Sequence, residues 1–225
     1  MMAQAAAAIV AARNESSTIA ETVNSLWLLP GLGRVVVMDD GSADATAEVA
    51  AAAGAEVLRS AHGRGKGETL DAALARVDAP FYLLVDADTG SSAEAAGPLL
   101  GAVVGGEADL AIGRLPPLGG GVFGLVKSMT GHLVTCACGF RAAEPMSGQR
   151  AATREVLRAC RPLGRGFGVD AAMTVDAVRL GYRVVEIDVE MSHRPTGRGL
   201  RGFAHRGRQG LHVLRAMIPR LVTAR

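Results

Sequence analysis

The chain has 225 residues, of which 49% are apolar, 20% charged and only 4% aromatic, and it contains 29 glycines. That balance excludes a disordered polypeptide and suits one α/β domain with helices packed closely on a sheet. The net charge of +2 hides an asymmetry: from His193 onward there are eight arginines and no acidic residue, which leaves −6 on residues 1–192. An acidic body with few aromatic rings argues against nucleic acid as a partner.

The apolar stretch 3–12 has nothing basic ahead of it and runs into Arg13-Asn14-Glu15, so it reads as a core strand over 6–12 rather than a signal peptide or membrane span. Thr18-Ile19-Ala20-Glu21 has capping-box spacing and opens a helix that reaches about residue 28. A second strand, 35–38, ends at Asp39-Asp40-Gly41-Ser42. The helix 45–53 follows, closed by Gly54. Residues 56–59 make a short third strand, and the basic loop Gly63-Arg64-Gly65-Lys66-Gly67 leads to a helix over 68–76. The run 81–85 is a strand buried on both faces, ending in Asp86-Ala87-Asp88. Repeated β-α units predict a mostly parallel, doubly wound sheet.

Pro116-Pro117 and the glycines at 119–121 mark a mobile loop rather than a domain boundary. Asp170 opens an apolar helix over 171–180, and a strand pattern covers 183–189. In the basic tail, Leu200, Phe203, Leu211, Leu214, Ile218 and Leu221 recur at roughly helical spacing. Cys136, Cys138 and Cys160 are too few for a disulfide framework and lack a second pair for a metal clip. They read as buried thiols in a reducing compartment.

Polar clusters close four consecutive strands, at the end where an open α/β sheet places ligands. They are Arg13-Asn14-Glu15, Asp39-Asp40-Gly41-Ser42, the Arg64/Lys66 loop and Asp86-Ala87-Asp88. Each alone is an ordinary solvated turn; four on one rim point to a nucleotide site. Carboxylates and amides can hydrogen-bond a base and ribose, and cations can neutralise a diphosphate. Alternation along the strand puts Asp86 and Asp88 toward one ligand, and carboxylates with phosphate oxygens are the usual shell of Mg²⁺ or Mn²⁺. His193 follows the 183–189 strand pattern, where a neutral imidazole can complete that shell. Gln149 and Arg150 are candidates for binding acceptor or donor sugar. Asp170 is a candidate base or positioner at an acceptor hydroxyl, although the helix dipole also explains an acidic first-turn residue. Arg194, Arg198 and Arg201 form either a clamp over the diphosphate, the favoured reading, or part of a membrane-surface or docking helix.

The segments Ile9-Val10-Ala11-Ala12-Arg13-Asn14-Glu15, Val37-Met38-Asp39-Asp40-Gly41-Ser42-Ala43-Asp44-Ala45-Thr46, Gly65-Lys66-Gly67 and Val85-Asp86-Ala87-Asp88 together resemble the GT-A glycosyltransferases of the family 2 type. The resemblance implies a GT-A, Rossmann-like fold in a single domain. Within it, residues 1–113 would form the nucleotide-sugar-binding half, 114–192 the acceptor-side half and 193–225 a basic C-terminal segment. It implies a donor site at Ala11, Arg13, Glu15, Asp39, Asp40, Gly41, Ser42, Lys66, Asp86 and Ala87. Glu15 and Asp40 would meet base and ribose, Lys66 the ribose or diphosphate, Asp86 the ribose or donor sugar, and Asp88 the metal.

Pro145-Met146-Ser147-Gly148-Gln149-Arg150, Gly166-Phe167-Gly168-Val169-Asp170 and His193-Arg194-Pro195 resemble the corresponding parts of glucosyl-3-phosphoglycerate synthases, with Asp170 where Glu is expected. Polyprenyl-phosphate sugar transferases share a related acceptor segment. The expected activity is metal-dependent transfer from a UDP- or GDP-sugar to a phosphorylated small molecule or lipid phosphate, with Asp170 and Asp88 catalytic. The expected location is the cytoplasm or the inner membrane surface, with a homodimer left open. A nucleotidyltransferase that makes sugar nucleotides would share the layout but want a Gly-rich phosphate loop where this chain has Arg13-Asn14-Glu15-Ser16. A nucleotide-sugar-binding module without turnover would keep the same pocket.

Overall fold

The computed structural model describes residues 6–60, 63, 65–116, 122–164, 166–192 and 200–222, without the side chains of 122, 123, 167 and 200–210. In chain order the elements are β1 (Ala6–Ala12), α1 (Ile19–Leu26), β2 (Leu32–Asp39), α2 (Thr46–Ala52), β3 (Glu56–Arg59), α3 (Lys66–Leu74), β4 (Phe81–Asp86), α4 (Gly97–Val104) and β5 (Leu110–Arg114). There follow α5 (Val122–Cys138), β6 (Arg150–Thr153), α6 (Arg154–Ala159), α7 (Val169–Arg179), β7 (Val184–Asp188) and α8 (Leu200–Val222), with 3-10 turns at Gly90–Ala96 and Gly166–Gly168. The strands pair in the order β3-β2-β1-β4-β6-β5-β7. Every pairing is parallel except those of β6, which runs antiparallel to both β4 and β5. The expected doubly wound, mostly parallel sheet is present, and it is one sheet across the 113/114 division.

Helices cover both faces of the sheet, so the central strands are apolar at consecutive positions rather than alternate ones. Ala8, Val10, Val35, Val37, Leu83 and Val85 join Ile19, Val23 and Leu99 in one core. Ala7, Ile9, Val36, Met38, Tyr82 and Leu84 join Leu70, Val169 and Met173 in the other. Each buried Val, Leu or Ile contributes roughly 1.5–3 kcal/mol relative to exposure. A third cluster ties α5, α7 and α8 together through Val134, Ala137, Ala171, Val175, Val213 and Met217. Helix α7 is therefore apolar on two sides, one for the sheet and one for α5 and α8.

Three local expectations change. Thr18 does not cap α1: its hydroxyl bonds the Glu15 carbonyl (3.3 Å) and Glu15 Oε2 (3.2 Å), and that carbonyl receives the Ile19 N–H at 3.0 Å. Helix α3 begins at Lys66 rather than 68, because Gly65 turns the chain at φ +103° and Gly67 abuts backbone, where a Cβ would lie 1.8 Å from the Gly164 carbonyl oxygen. Among the thiols, Cys160 is buried and pushed up to about 12 by desolvation, but Cys138 is half-buried and Cys136 is exposed, 3.5 Å from His132 Nε2. The tail helix is present: α8 buries Val213, Ala216 and Met217 and leaves Leu211, Leu214 and Ile218, three of the apolar positions at helical spacing, exposed. Arg220 of this helix pairs with Asp176 of α7. The loop expected at 117–121 lies outside the described residues.

Candidate active site

At the rim, Ala11 of β1 is registered between Met38 of β2 and Asp86 of β4. The two loops that leave β1 and β2 are knitted together. Asn14 adopts φ 57°, a left-handed conformation that Asn tolerates. Its N–H donates to Ser42 Oγ at 2.9 Å, and its Oδ1 accepts the Ala43 N–H at 2.8 Å. Glu15 N–H donates to Thr46 Oγ1 at 2.8 Å, while Asp44 accepts the N–H groups of Ser16 and Thr46. The Thr46 hydroxyl holds the Asp44 carboxyl down at about 2.

Asp39 turns inward, 4% exposed, and accepts the N–H and hydroxyl of Ser42, with Gly41 at φ +72° completing the turn. The structure therefore gives Asp39 and Ser42 loop-building bonds. Asp40 reaches across instead, its Oδ2 accepting the Gly65 N–H at 3.0 Å. Arg13 is exposed, with its guanidinium beside Gly63.

Behind this rim four charged side chains alternate in sign. Arg150 Nε lies 3.8 Å from Asp170 Oδ1, Lys66 Nζ 3.2 Å from Asp170 Oδ2, and the same Nζ 2.8 Å from Asp86 Oδ1. Gln149 fixes the outer end, donating from Nε2 to Asp86 Oδ2 (2.9 Å) and accepting the Asp86 N–H on Oε1 (3.2 Å). Burial resists the charge on Lys66, but Asp170 and Asp86 outweigh it and raise its pKa, so the ammonium stays protonated. Burial pushes Asp170 up, against the pull of Lys66 and Arg150. Gly148 makes this approach feasible, since a Cβ there would sit 2.3 Å from Lys66 Nζ and 2.4 Å from Asp86 Oδ2.

The expectation that Gln149 and Arg150 touch substrate is corrected: both are 0% exposed. Arg150 donates to the Ser147 carbonyl (2.7 Å) and Thr174 Oγ1 (2.9 Å), and among the described residues its Nη2 has no hydrogen-bond partner. These two residues hold Asp86 and Asp170 rather than a ligand. Asp170 is 4% exposed, with both carboxylate oxygens turned toward cations.

Ala87 is buried and Asp88 is half-buried in the turn that follows β4. That turn is anchored by a residue with no sequence signature, Thr22 of α1. Its hydroxyl donates to the Ala87 carbonyl (3.0 Å) and accepts the Gly90 N–H (2.9 Å), while Thr89 Oγ1 donates to the Asp86 carbonyl (3.0 Å). Thr22→Val keeps the volume and strips both bonds from buried backbone groups. It should cost about 1–3 kcal/mol in urea unfolding, and any turnover that depends on Asp88 should fall with it.

Among the described residues no three His, Cys, Asp or Glu side chains converge as a ready metal cluster. The residues fit a single-carboxylate site, because Asp86 is held by Lys66 and Gln149 while Asp88 stands at the turn. Mg²⁺ ordinarily takes one or two carboxylates and completes its shell with phosphate oxygens and water. His193, Arg194 and Arg198 lie outside the described residues, as does Arg64. Arg201 falls within α8, but its side chain is not described. A cavity of about 540 Å³ is lined by Lys127, Thr135 and Arg141 among others and includes none of the strand-end residues.

The family model for glycosyl transferase family 2 matches residues 7–158, a span from β1 to α6 that includes all four strand-end motifs. Glycosyltransferase AglJ of Haloferax volcanii is 28% identical over 189 residues, covering 82% of this chain and 62% of that protein. An uncharacterized glycosyltransferase of Mycobacterium bovis is 31% identical over 176 residues, covering 77% of this chain and 80% of its own length. Among solved structures, glucosyl-3-phosphoglycerate synthase from Mycobacterium tuberculosis, in complex with Mn²⁺, UDP and glucosyl-3-phosphoglycerate, aligns with a TM-score of 0.79 at 25% identity. That alignment covers 95% of this chain and 80% of the synthase. On its sequence match and its GT-A architecture, the chain belongs to glycosyl transferase family 2.

Proposed function

We propose that this protein transfers a sugar, with a divalent metal ion, from a nucleoside-diphosphate sugar to a phosphorylated small molecule or lipid phosphate. The observation that carries this reading is the Asp86–Lys66–Asp170 chain at the end of β4, with Asp88 in the turn after that strand and Asp40 at the end of β2 on the same rim of the sheet. The similar synthase, solved with Mn²⁺, UDP and glucosyl-3-phosphoglycerate, supports it.

Asp40 and Glu15 would accept hydrogen bonds from the base and ribose, while Arg13 and the exposed Gly41 border the same rim. Lys66 would present a fixed positive charge to the donor, held by Asp170 and Asp86. Asp170 acts as a positioner of Lys66, since its two oxygens are already turned toward Lys66 and Arg150. Asp88 would hold the Mg²⁺ or Mn²⁺ ion, which when bound neutralises charge on the departing diphosphate.

Calorimetric titration with UDP- and GDP-sugars in the presence of Mn²⁺ or Mg²⁺ tests the donor site. At least one donor should bind, and Asp40→Ala should weaken it by about tenfold or more while changing the chemical step less. Part of that loss would come through Gly65, whose N–H Asp40 holds. Absence of binding by either class of donor would overturn the reading.

A further inference from the structure

We infer that the outer face of α5 and α8 docks on an anionic lipid surface. Six of the ten large apolar side chains exposed among the described residues lie on these two helices. On α8 they are Leu211, Leu214, Ile218 and Val222, spaced so that they share one face, with exposed Arg215 in the same stripe. On α5 they are Leu125 and Met129, one turn apart. The opposite sides of both helices are already used, because Val134 and Ala137 of α5 and Val213 and Met217 of α8 are buried against α7. The exposed stripes are thus left over after the protein's own packing is satisfied.

Charge identifies the occupant. Neither α5 nor α8 contains a single Asp or Glu. Besides Arg220, which Asp176 already pairs, helix α8 carries arginines at 201, 206, 208 and 215, whereas residues 1–192 carry −6. Two copies meeting face to face would set the same cationic helices against each other. An apolar stripe flanked by arginine, in a helix rich in positive charge, matches an interfacial helix that immerses its aliphatic groups and keeps guanidinium groups at the level of lipid phosphates. No described helix is long and apolar enough to cross a membrane, so the contact is with a surface. This inference stands apart from the donor reading and can fail without it.

Co-sedimentation of the full chain with vesicles of phosphatidylcholine, with and without phosphatidylglycerol, tests it. Binding should require the anionic lipid and fade as salt is raised. Ile218→Asp and Arg215→Glu alter exposed positions and should leave the melting temperature unchanged. Each should weaken vesicle binding by about tenfold, while donor affinity in vesicle-free solution stays the same. Three results would overturn the inference: no binding to anionic vesicles at low salt, binding indifferent to both substitutions, or a dimer in light scattering that Ile218→Asp dissolves. The last would make the face a contact between copies.

Discussion

Asp88→Asn should abolish sugar transfer while leaving the protein folded. The residue is half-buried in a turn whose backbone is held by Thr22 and Thr89, so replacing its carboxylate with an amide of similar size removes charge without removing the turn. Asp86 cannot substitute, because its two oxygens are engaged by Lys66 and Gln149. Loss of a group that stabilises developing charge costs about 100- to 1000-fold in turnover. Release of nucleoside diphosphate should therefore fall by at least that much, and donor affinity should lose its dependence on Mn²⁺ or Mg²⁺. A melting temperature close to that of the unaltered protein would show the fold intact. Unchanged turnover would remove Asp88 from the mechanism.

Arg150→Met should destabilise the protein by about 3–5 kcal/mol, a large part of the roughly 5–15 kcal/mol that holds a typical domain together. Arg150 is fully buried, and its removal leaves Asp170 in a low-dielectric interior with Lys66 as its remaining cation. Asp170→Asn should cost a similar amount, leaving the guanidinium uncompensated. The double variant should cost less than the sum of the two, which urea unfolding of all three can measure.

The pH dependence has a definite sign. Burial already raises the pKa of Asp170 in the folded protein, and losing Arg150 removes one of the two pulls that oppose it. A carboxyl raised in the folded state favours folding fully below its unfolded value of about 3.9 and loses that contribution as pH rises through the folded value. The deficit of Arg150→Met should accordingly shrink as the solution is acidified. A deficit that grows under acid would show that Asp170 is not the group left uncompensated.

The parallel half of the sheet was legible in the sequence because continuous apolar runs leave few readings. The strands at 6–12 and 56–59 match in both bounds, and the described residues of the four rim clusters follow the strand ends where the topology requires them. The antiparallel β6 was hidden, since Arg150-Ala151-Ala152-Thr153 carries no strand pattern and its place depends on partners far away in the chain. The same distance concealed the charged network. Nothing near Gln149 says that its amide will close on Asp86, and nothing near Lys66 announces Asp170. Thr22 looks like any helical threonine until the turn after β4 lies against it. For α8, periodicity shows that the helix has faces but not which is inward, because Leu211, Leu214 and Ile218 compete with Val213 and Met217.

The antiparallel strand also bears on how the protein is made. β4 and β5 leave the ribosome before β6, yet β6 is the strand that joins them. Until residues 150–153 emerge, β4 presents an open edge and β5 has no partner, the kind of exposed backbone that recruits other chains. A ribosomal pause after β5 has emerged and before β6 has would prolong that exposure. Recovery of soluble protein should therefore depend on translation speed over that interval.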